Sequence, residues 1–423
     1  RRRRRHAVDE SSLVAAGDCR TYSGGAGMDM SSSKHGAKST AAREAAATVP
    51  VYPQLDIDPV RAAGCDIFTR DGRTILDLYG GHAVAALGYS HPGLYAAIST
   101  QAQRLLFQSN ALALEIRAAA AEALVRVSPP SLTRVFFVNS GAEANENALR
   151  VACRSTGRGK ILALTQSFHG RTAAAAAVTW NAAEKWYGFP RLPFDVDFIP
   201  RNDIAAAKRM IDKNVAAVIF EPVQGVAGAF DLDRGFVVAL RDACTSSGAL
   251  LIADEVQSGM GRSGQFFASQ VFQVEPDMLT SAKSLGGGFP CGALLCSETL
   301  GAGLHSGDLG STFGGGPVAC AAIVAVIDAI EKEDLLLRVR QREAEIRELC
   351  AVGPVRRIQG MGLLLGLVCD RPARDVHAAL LEQDILTGTS ADPNVVRLLP
   401  PLVLQAGHVT RLAAALADIQ PVA

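Results

Sequence analysis

One arrangement recurs through the middle of this 423-residue chain: a short apolar run, a polar or glycine-rich break, then an amphipathic stretch. Apolar runs stand at 134–138, 160–165, 217–220 and 249–253, and helix-like stretches at 142–154, 204–212 and 236–247. Apolar runs of this length, bounded by turn residues, read as buried strands. Strands that alternate with helices predict a mostly parallel sheet covered on both faces, an α/β architecture.

The flanks extend that expectation. Residues 66–77 read as a hairpin with its turn at Asp71-Gly72. Helices are expected from Pro92 to Leu106 and from Glu115 to Val127, the second stopping before Pro129-Pro130. Beyond Pro317 the pattern turns helix-rich, with a charged helix near 338–349, strands near 362–368 and 395–398, and a last helix near 406–419. We therefore expect a large domain over 102–316 and a smaller α+β domain over 317–423, which the segment 50–101 joins. Folded sequence is expected from about Val51.

Residues 1–49 open with five arginines and are rich in alanine, serine and glycine. We read them as a disordered leader, either an organellar transit peptide or sequence translated ahead of a start near Met28 or Met30; the second reading is favoured because the chain has no initiating Met. The net charge is zero, so composition gives no reason to expect a nucleic-acid or membrane partner. No apolar stretch approaches the roughly 18 residues of a membrane span. The nine cysteines are odd in number and include no Cys-x-x-Cys pair. Neither a metal site nor a disulfide framework is indicated, and reduced thiols point to a cytoplasmic location.

Chemistry concentrates at strand ends. Lys283 precedes Ser-Leu-Gly-Gly-Gly, and Asp254 closes the run Leu-Leu-Ile-Ala-Asp. A lysine and a carboxylate presented this way suit an aldehyde cofactor with a pyridine ring: the amine forms a Schiff base and the carboxylate keeps the ring nitrogen protonated. Asn139-Ser-Gly-Ala-Glu can cradle a phosphate at a helix start, or be an ordinary capping box from Ser140 to Glu143. Ser167-Phe-His-Gly-Arg-Thr can supply a stacking ring and a carboxylate fork, or be a polar loop. Glu221-Pro-Val-Gln-Gly closes a fourth strand, and ligands in open α/β sheets bind at such ends. The loop Gly310-Ser-Thr-Phe-Gly-Gly-Gly-Pro is either flexible or a hydroxyl donor to a phosphate. Arg397, inside a short apolar run, needs an anion or a structural salt bridge.

Together these motifs, from 51 to about 420, resemble the class III pyridoxal-phosphate aminotransferases of the acetylornithine and ornithine kind. The resemblance implies the fold type I transferase architecture and a homodimer with active sites at its interface. It implies Lys283 as the Schiff-base lysine and Asp254 as partner of the pyridine nitrogen. Ser140, Gly141, Ala142, Phe168, Glu221, Val256, Gln257 and Thr312 would contact pyridoxal 5'-phosphate, Thr312 from across the dimer interface. Arg171, Ser311, Arg397 and His82 would contact substrate. The implied reaction moves the terminal amino group of an N-acylornithine to 2-oxoglutarate, in arginine metabolism. The alternatives are another ω-amino donor (ornithine, 4-aminobutyrate or putrescine) or an aminomutase. Two positions depart from the family's pattern: Val226 stands where a glutamate is usual, and His82 where an aromatic or aliphatic contact is usual.

Overall fold

A computed structural model describes residues 39–419. Residues up to Asp56 form one unit and those from Ile57 onward another. In the first unit Thr40–Ala47 is a helix, where an unstructured leader was expected. Its alanine-rich composition favours helix, and the Ser39 hydroxyl caps it by accepting the N–H of Ala42 at 3.2 Å. No residue of this helix is buried. Residues 1–38 of that expected leader lie outside the described residues.

The second unit is built on a seven-stranded sheet. Its order is Leu132–Val138, Gly292–Ser297, Met278–Ser281, Leu250–Asp254, Val215–Phe220, Lys160–Leu164, Asp195–Ile199. Gly292–Ser297 runs antiparallel to both neighbours, and the remaining pairs are parallel. The Val215–Phe220 strand is buried at every residue, as a strand covered on both faces must be. The strands Asp195–Ile199, Met278–Ser281 and Gly292–Ser297 were not read from sequence.

The hairpin Asp66–Thr69 and Thr74–Asp77 forms as expected. With Pro59–Ala63 and the short strand Ile385–Leu386 it makes a four-stranded sheet, which joins an early and a late segment of this unit. A three-stranded antiparallel sheet combines Val355–Met361, Leu364–Cys369 and Val395–Leu398. The helix Pro317–Lys332 packs against the helices Pro92–Arg104 and Glu115–Val127, and against the turn that begins at Lys283. None of the described helices is long and apolar enough to cross a membrane. The eight described cysteines are all unpaired, seven of them buried.

Candidate active site

The central sheet brings four strand ends to one rim. Asp254 is the last residue of its strand and is 4% exposed. Its Oδ1 accepts the N–H of Val256 at 3.0 Å. Its Oδ2 accepts the side-chain amide of Asn145 at 2.7 Å and Nδ1–H of His169 at 2.7 Å. Asn145 is itself fixed, since its Oδ1 accepts the hydroxyl of Thr280 at 2.7 Å. The carboxylate therefore has one orientation, set by three donors from three elements.

Lys283 follows the strand Met278–Ser281 and opens a single 3-10 turn. Its φ of 48° lies in the left-handed region. A non-glycine residue there carries strain that surrounding contacts must hold in place. Burial pushes its amine below the ordinary lysine range; Asp254 and Glu221 oppose that shift, while Arg397 and Arg262 add to it.

Ser140 caps the helix Gly141–Thr156 by accepting the N–H of Glu143 at 3.2 Å. The Glu143 carboxylate reaches back to the N–H of Asn139, at 2.9 Å, rather than to the cap residue's own. The Ser140 cap is thus realised but the reciprocal half of the capping box is not, and the first turn's other N–H groups remain a positive edge. Glu221 accepts the N–H of Phe168 at 2.8 Å and the N–H of Gly225 at 3.3 Å. Burial pushes Glu221 up to about 7, against the pull of His169. Gly225 leaves room for Gln257: a Cβ at 225 would come within 1.6 Å of the Gln257 Oε1.

These groups enclose one cavity of about 450 Å³. Ser140, Gly141, Ala142, Phe168, Arg171, Glu221, Asp254, Val256, Gln257 and Lys283, all singled out from sequence, line it. Two buried polar atoms here have no partner: Oε1 of Gln257 and Nε2 of His169. Ser311 is one step removed, its hydroxyl accepting from Asn139 Nδ2 at 3.2 Å. Thr312 is exposed and does not line the cavity, nor does any other residue of its loop.

Arg397 and His82 meet elsewhere, through Tyr79. Arg397 is 7% exposed. It donates to the backbone oxygens of Thr389 at 2.7 Å and Gly225 at 3.2 Å, and to the Tyr79 hydroxyl at 2.8 Å. It has no carboxylate partner among the described residues. Having accepted from arginine, which only donates, the Tyr79 hydroxyl gives its proton to His82 Nδ1, 2.8 Å away. His82 is then the neutral tautomer with its proton on Nε2. Burial, then the Arg397 charge, pushes this imidazole below its usual range. His82 sits in a left-handed turn, with positive φ from Gly80 through Ala83. The Tyr79 ring packs against Gly388, where a Cβ would come within 1.9 Å of it.

The family model for class III aminotransferases matches residues 48–419. The chain belongs to the class III aminotransferases. The acetylornithine aminotransferase of Mycobacterium tuberculosis is 42% identical over 358 residues, 82% of this chain and 88% of that protein. That of Methanocaldococcus jannaschii is 37% identical over 383 residues, covering 87% and 94%. Among solved structures, the ornithine aminotransferase of Toxoplasma gondii superposes with a TM-score of 0.83 at 28% identity, covering 89% of this chain and 93% of that one. A second structure of that protein has partial occupancy of PLP at its active site. The acetylornithine aminotransferase of Elizabethkingia anophelis gives 0.80 at 27% identity, covering 90% and 98%.

Several residues at this aminotransferase site escaped the reading from sequence. His169, Asn145 and Thr280 hold Asp254, and Tyr79 holds Arg397. Asn145 carried a usable signal: it is the polar member of a buried helical stripe that includes Ala144, Ala148 and Ala152. Arg262 is fully buried, donates to the carbonyls of Leu363 and Pro400, and leaves Nε and Nη2 unpartnered. Burial pushes it down to about 9.

Proposed function

We propose that the protein transfers the terminal amino group of an N-acylornithine to 2-oxoglutarate, giving the semialdehyde and glutamate, within arginine metabolism. The observation that carries this reading is the meeting of Lys283, Asp254 and Gln257 in one cavity with two arginines of different character nearby. The named relatives at about 40% identity support the donor.

The cofactor is pyridoxal 5'-phosphate, and the donor set fits it. The cavity lies within the usual range for cofactor sites of roughly 300–1,000 Å³. The orphaned Oε1 of Gln257 is a buried acceptor waiting for a hydroxyl. When bound, the group's protonated ring draws electrons from the carbon that loses its proton. Lys283 is assigned to hold the aldehyde and then to move that proton, a task its lowered amine suits. Asp254 is assigned to pair with the ring nitrogen, aligned by His169 and Asn145. The helix start at Ser140, Gly141 and Ala142 is assigned to the phosphate, Phe168 and Val256 to the ring faces, and Glu221 to support beside Phe168. Arg171 would hold the carboxylate far from the reacting amine, and Arg397 the α-carboxylate of glutamate or 2-oxoglutarate, with Ser311 and His82 beside the substrate. Kinetics are then ping-pong.

Thr312 completes the phosphate site only from a second copy of the chain, so we propose a homodimer. We also propose the division into 50–101, 102–316 and 317–423, and a cytoplasmic location, which the unpaired thiols support. A donor panel with 2-oxoglutarate tests the reaction. N-acetylornithine should turn over and 4-aminobutyrate or putrescine should not; the reverse pattern, or turnover with no added keto acid, overturns it.

A further inference from the structure

Although Thr312 is exposed, the loop that carries it is fastened from several sides. Gly314 lies against the Phe137 carbonyl, where a Cβ would come within 2.2 Å. The Ser311 hydroxyl accepts the Gly314 N–H at 2.9 Å as well as the Asn139 amide. From the segment 107–112, the Asn110 side-chain amide donates to the carbonyls of Ser311 at 3.1 Å and Gly314 at 3.0 Å, so it clasps the loop on either side of Thr312. The Phe107 ring stands 5.2 Å from that of Phe313.

Arg117 binds the two segments together. Its Nε donates to the Gly315 carbonyl at 2.8 Å. Its Nη1 donates to the carbonyl of Leu112 at 2.9 Å, and its Nη2 to those of Gln108 at 3.4 Å and Ser109 at 3.3 Å. One half-buried guanidinium thus meets four backbone oxygens, with no carboxylate among these partners. Gly315 has a φ of 71°, and a Cβ there would crowd Nε at 3.1 Å. The position itself disfavours a cation. Arg117 is in the first turn of the helix Glu115–Val127, at the positive end of its dipole, and Leu114 gives that end no side-chain cap. A residue that breaks a local rule in this way points to a task elsewhere.

We propose that Arg117 and Asn110 are positioning residues that hold the Thr312 loop in the shape with which it enters the phosphate site of a second copy, so that each chain sets how firmly its partner keeps the cofactor. The inference rests on the homodimer reading above. A single hydroxyl gains little if its loop must be ordered at the moment of contact. A loop fastened beforehand avoids that cost. Arg117 and Asn110 do not line the cavity of their own chain. The effect of removing them therefore falls on the neighbour's site.

The test uses mixed dimers of the holoenzyme made from two differently tagged copies. It follows how fast the cofactor that borohydride can fix to Lys283 is lost on dilution into cofactor-free buffer. Lys283→Ala on one copy confines that signal to the other. With Arg117→Ala on the same copy as Lys283→Ala, the signal lies in an unaltered copy that receives the altered loop. Loss should then be about tenfold faster, as one charge-assisted hydrogen bond provides. With Arg117→Ala on the opposite copy, the signal-bearing site receives an intact loop, and the rate should match that of the dimer carrying Lys283→Ala alone. Asn110→Asp, of equal size, should repeat both results. Arg117→Lys keeps the charge but not the fork and should stay near the alanine value. The proposal is overturned if the two placements give equal rates, or if faster loss follows the copy that bears the substitution. Thr312→Ala on the Lys283→Ala copy separates this inference from the reading beneath it. If that variant leaves the rate unchanged, or if no mixed dimer forms, the dimer reading fails too. If it speeds loss while Arg117→Ala and Asn110→Asp do not, only this proposal fails.

Discussion

The two arginines near this site are built in opposite ways. Arg397 is sealed inside a strand and spends its donors on two carbonyls and the Tyr79 hydroxyl. Arg171 lies in a loop after its strand, exposed and stacked near Trp186 and Phe168, with no carboxylate at hand. A buried guanidinium cannot follow its ligand, because every donor it moves leaves an acceptor unpaired. A stacked, open one slides on a ring face at little cost. A transaminase must take two different substrates in turn in one cavity. The fixed arginine suits the one carboxylate found at a reacting carbon, that of glutamate or 2-oxoglutarate, and the loose one suits the distal carboxylate that both substrates bring at different settings.

The sharpest way to break this contrast is Arg397→Ala. Removing a buried cation should lower kcat/KM for glutamate by roughly 10²–10³, about 3–4 kcal/mol, while the acylornithine half-reaction loses far less. Equal losses in both half-reactions would contradict a fixed role. Arg171→Ala should instead weaken both substrates, each by about 30-fold, or about 2 kcal/mol, since each places a carboxylate there. A loss confined to one of them would show the two arginines to be interchangeable in kind. Tyr79→Phe sharpens the picture at smaller scale: losing one acceptor should raise KM for glutamate about fivefold with kcat little changed. If kcat falls and KM does not, the hydroxyl serves the chemistry and not the seat of Arg397.

Glu221 gives the smallest effect, one read in stability. Its folded pKa is raised from 4.5 to about 7. A raised acid contributes fully below its unfolded value and loses that contribution as pH rises through the folded one. Between pH 4.5 and 7, then, the Tm of Glu221→Gln should climb relative to that of the parent. A flat difference across that window would mean that Glu221 is not held protonated by burial.

The same contrast explains what the sequence made legible. The strand ends were readable because apolar runs stop abruptly at Asn139, Glu221 and Asp254, and sheet topology then gathers such ends on one rim. Asp254 was found for that reason, and Lys283 through the glycine run that follows it. Arg397 stood out as a charge in an apolar strand. Its seat did not, since Tyr79 and Gly388 touch across more than three hundred positions and neither carries a local signal. His169 was hidden inside a motif whose aromatic and arginine drew the attention. The charge of Arg262 gave no hint that it would be sealed in by the carbonyls of Leu363 and Pro400. The expected disorder before residue 50 failed at Thr40–Ala47, where alanine propensity and a serine cap outweigh the polar surroundings.

Beneath both arginines lies one claim, that a single amine in this cavity holds the cofactor's aldehyde. Borohydride reduction of the purified holoenzyme, followed by digestion and mass spectrometry, reads it directly. The account predicts a pyridoxyl phosphate mass increment on the peptide containing Lys283 and loss of the visible absorption band. An increment on another lysine, or none on a holoenzyme that turns over, would contradict it.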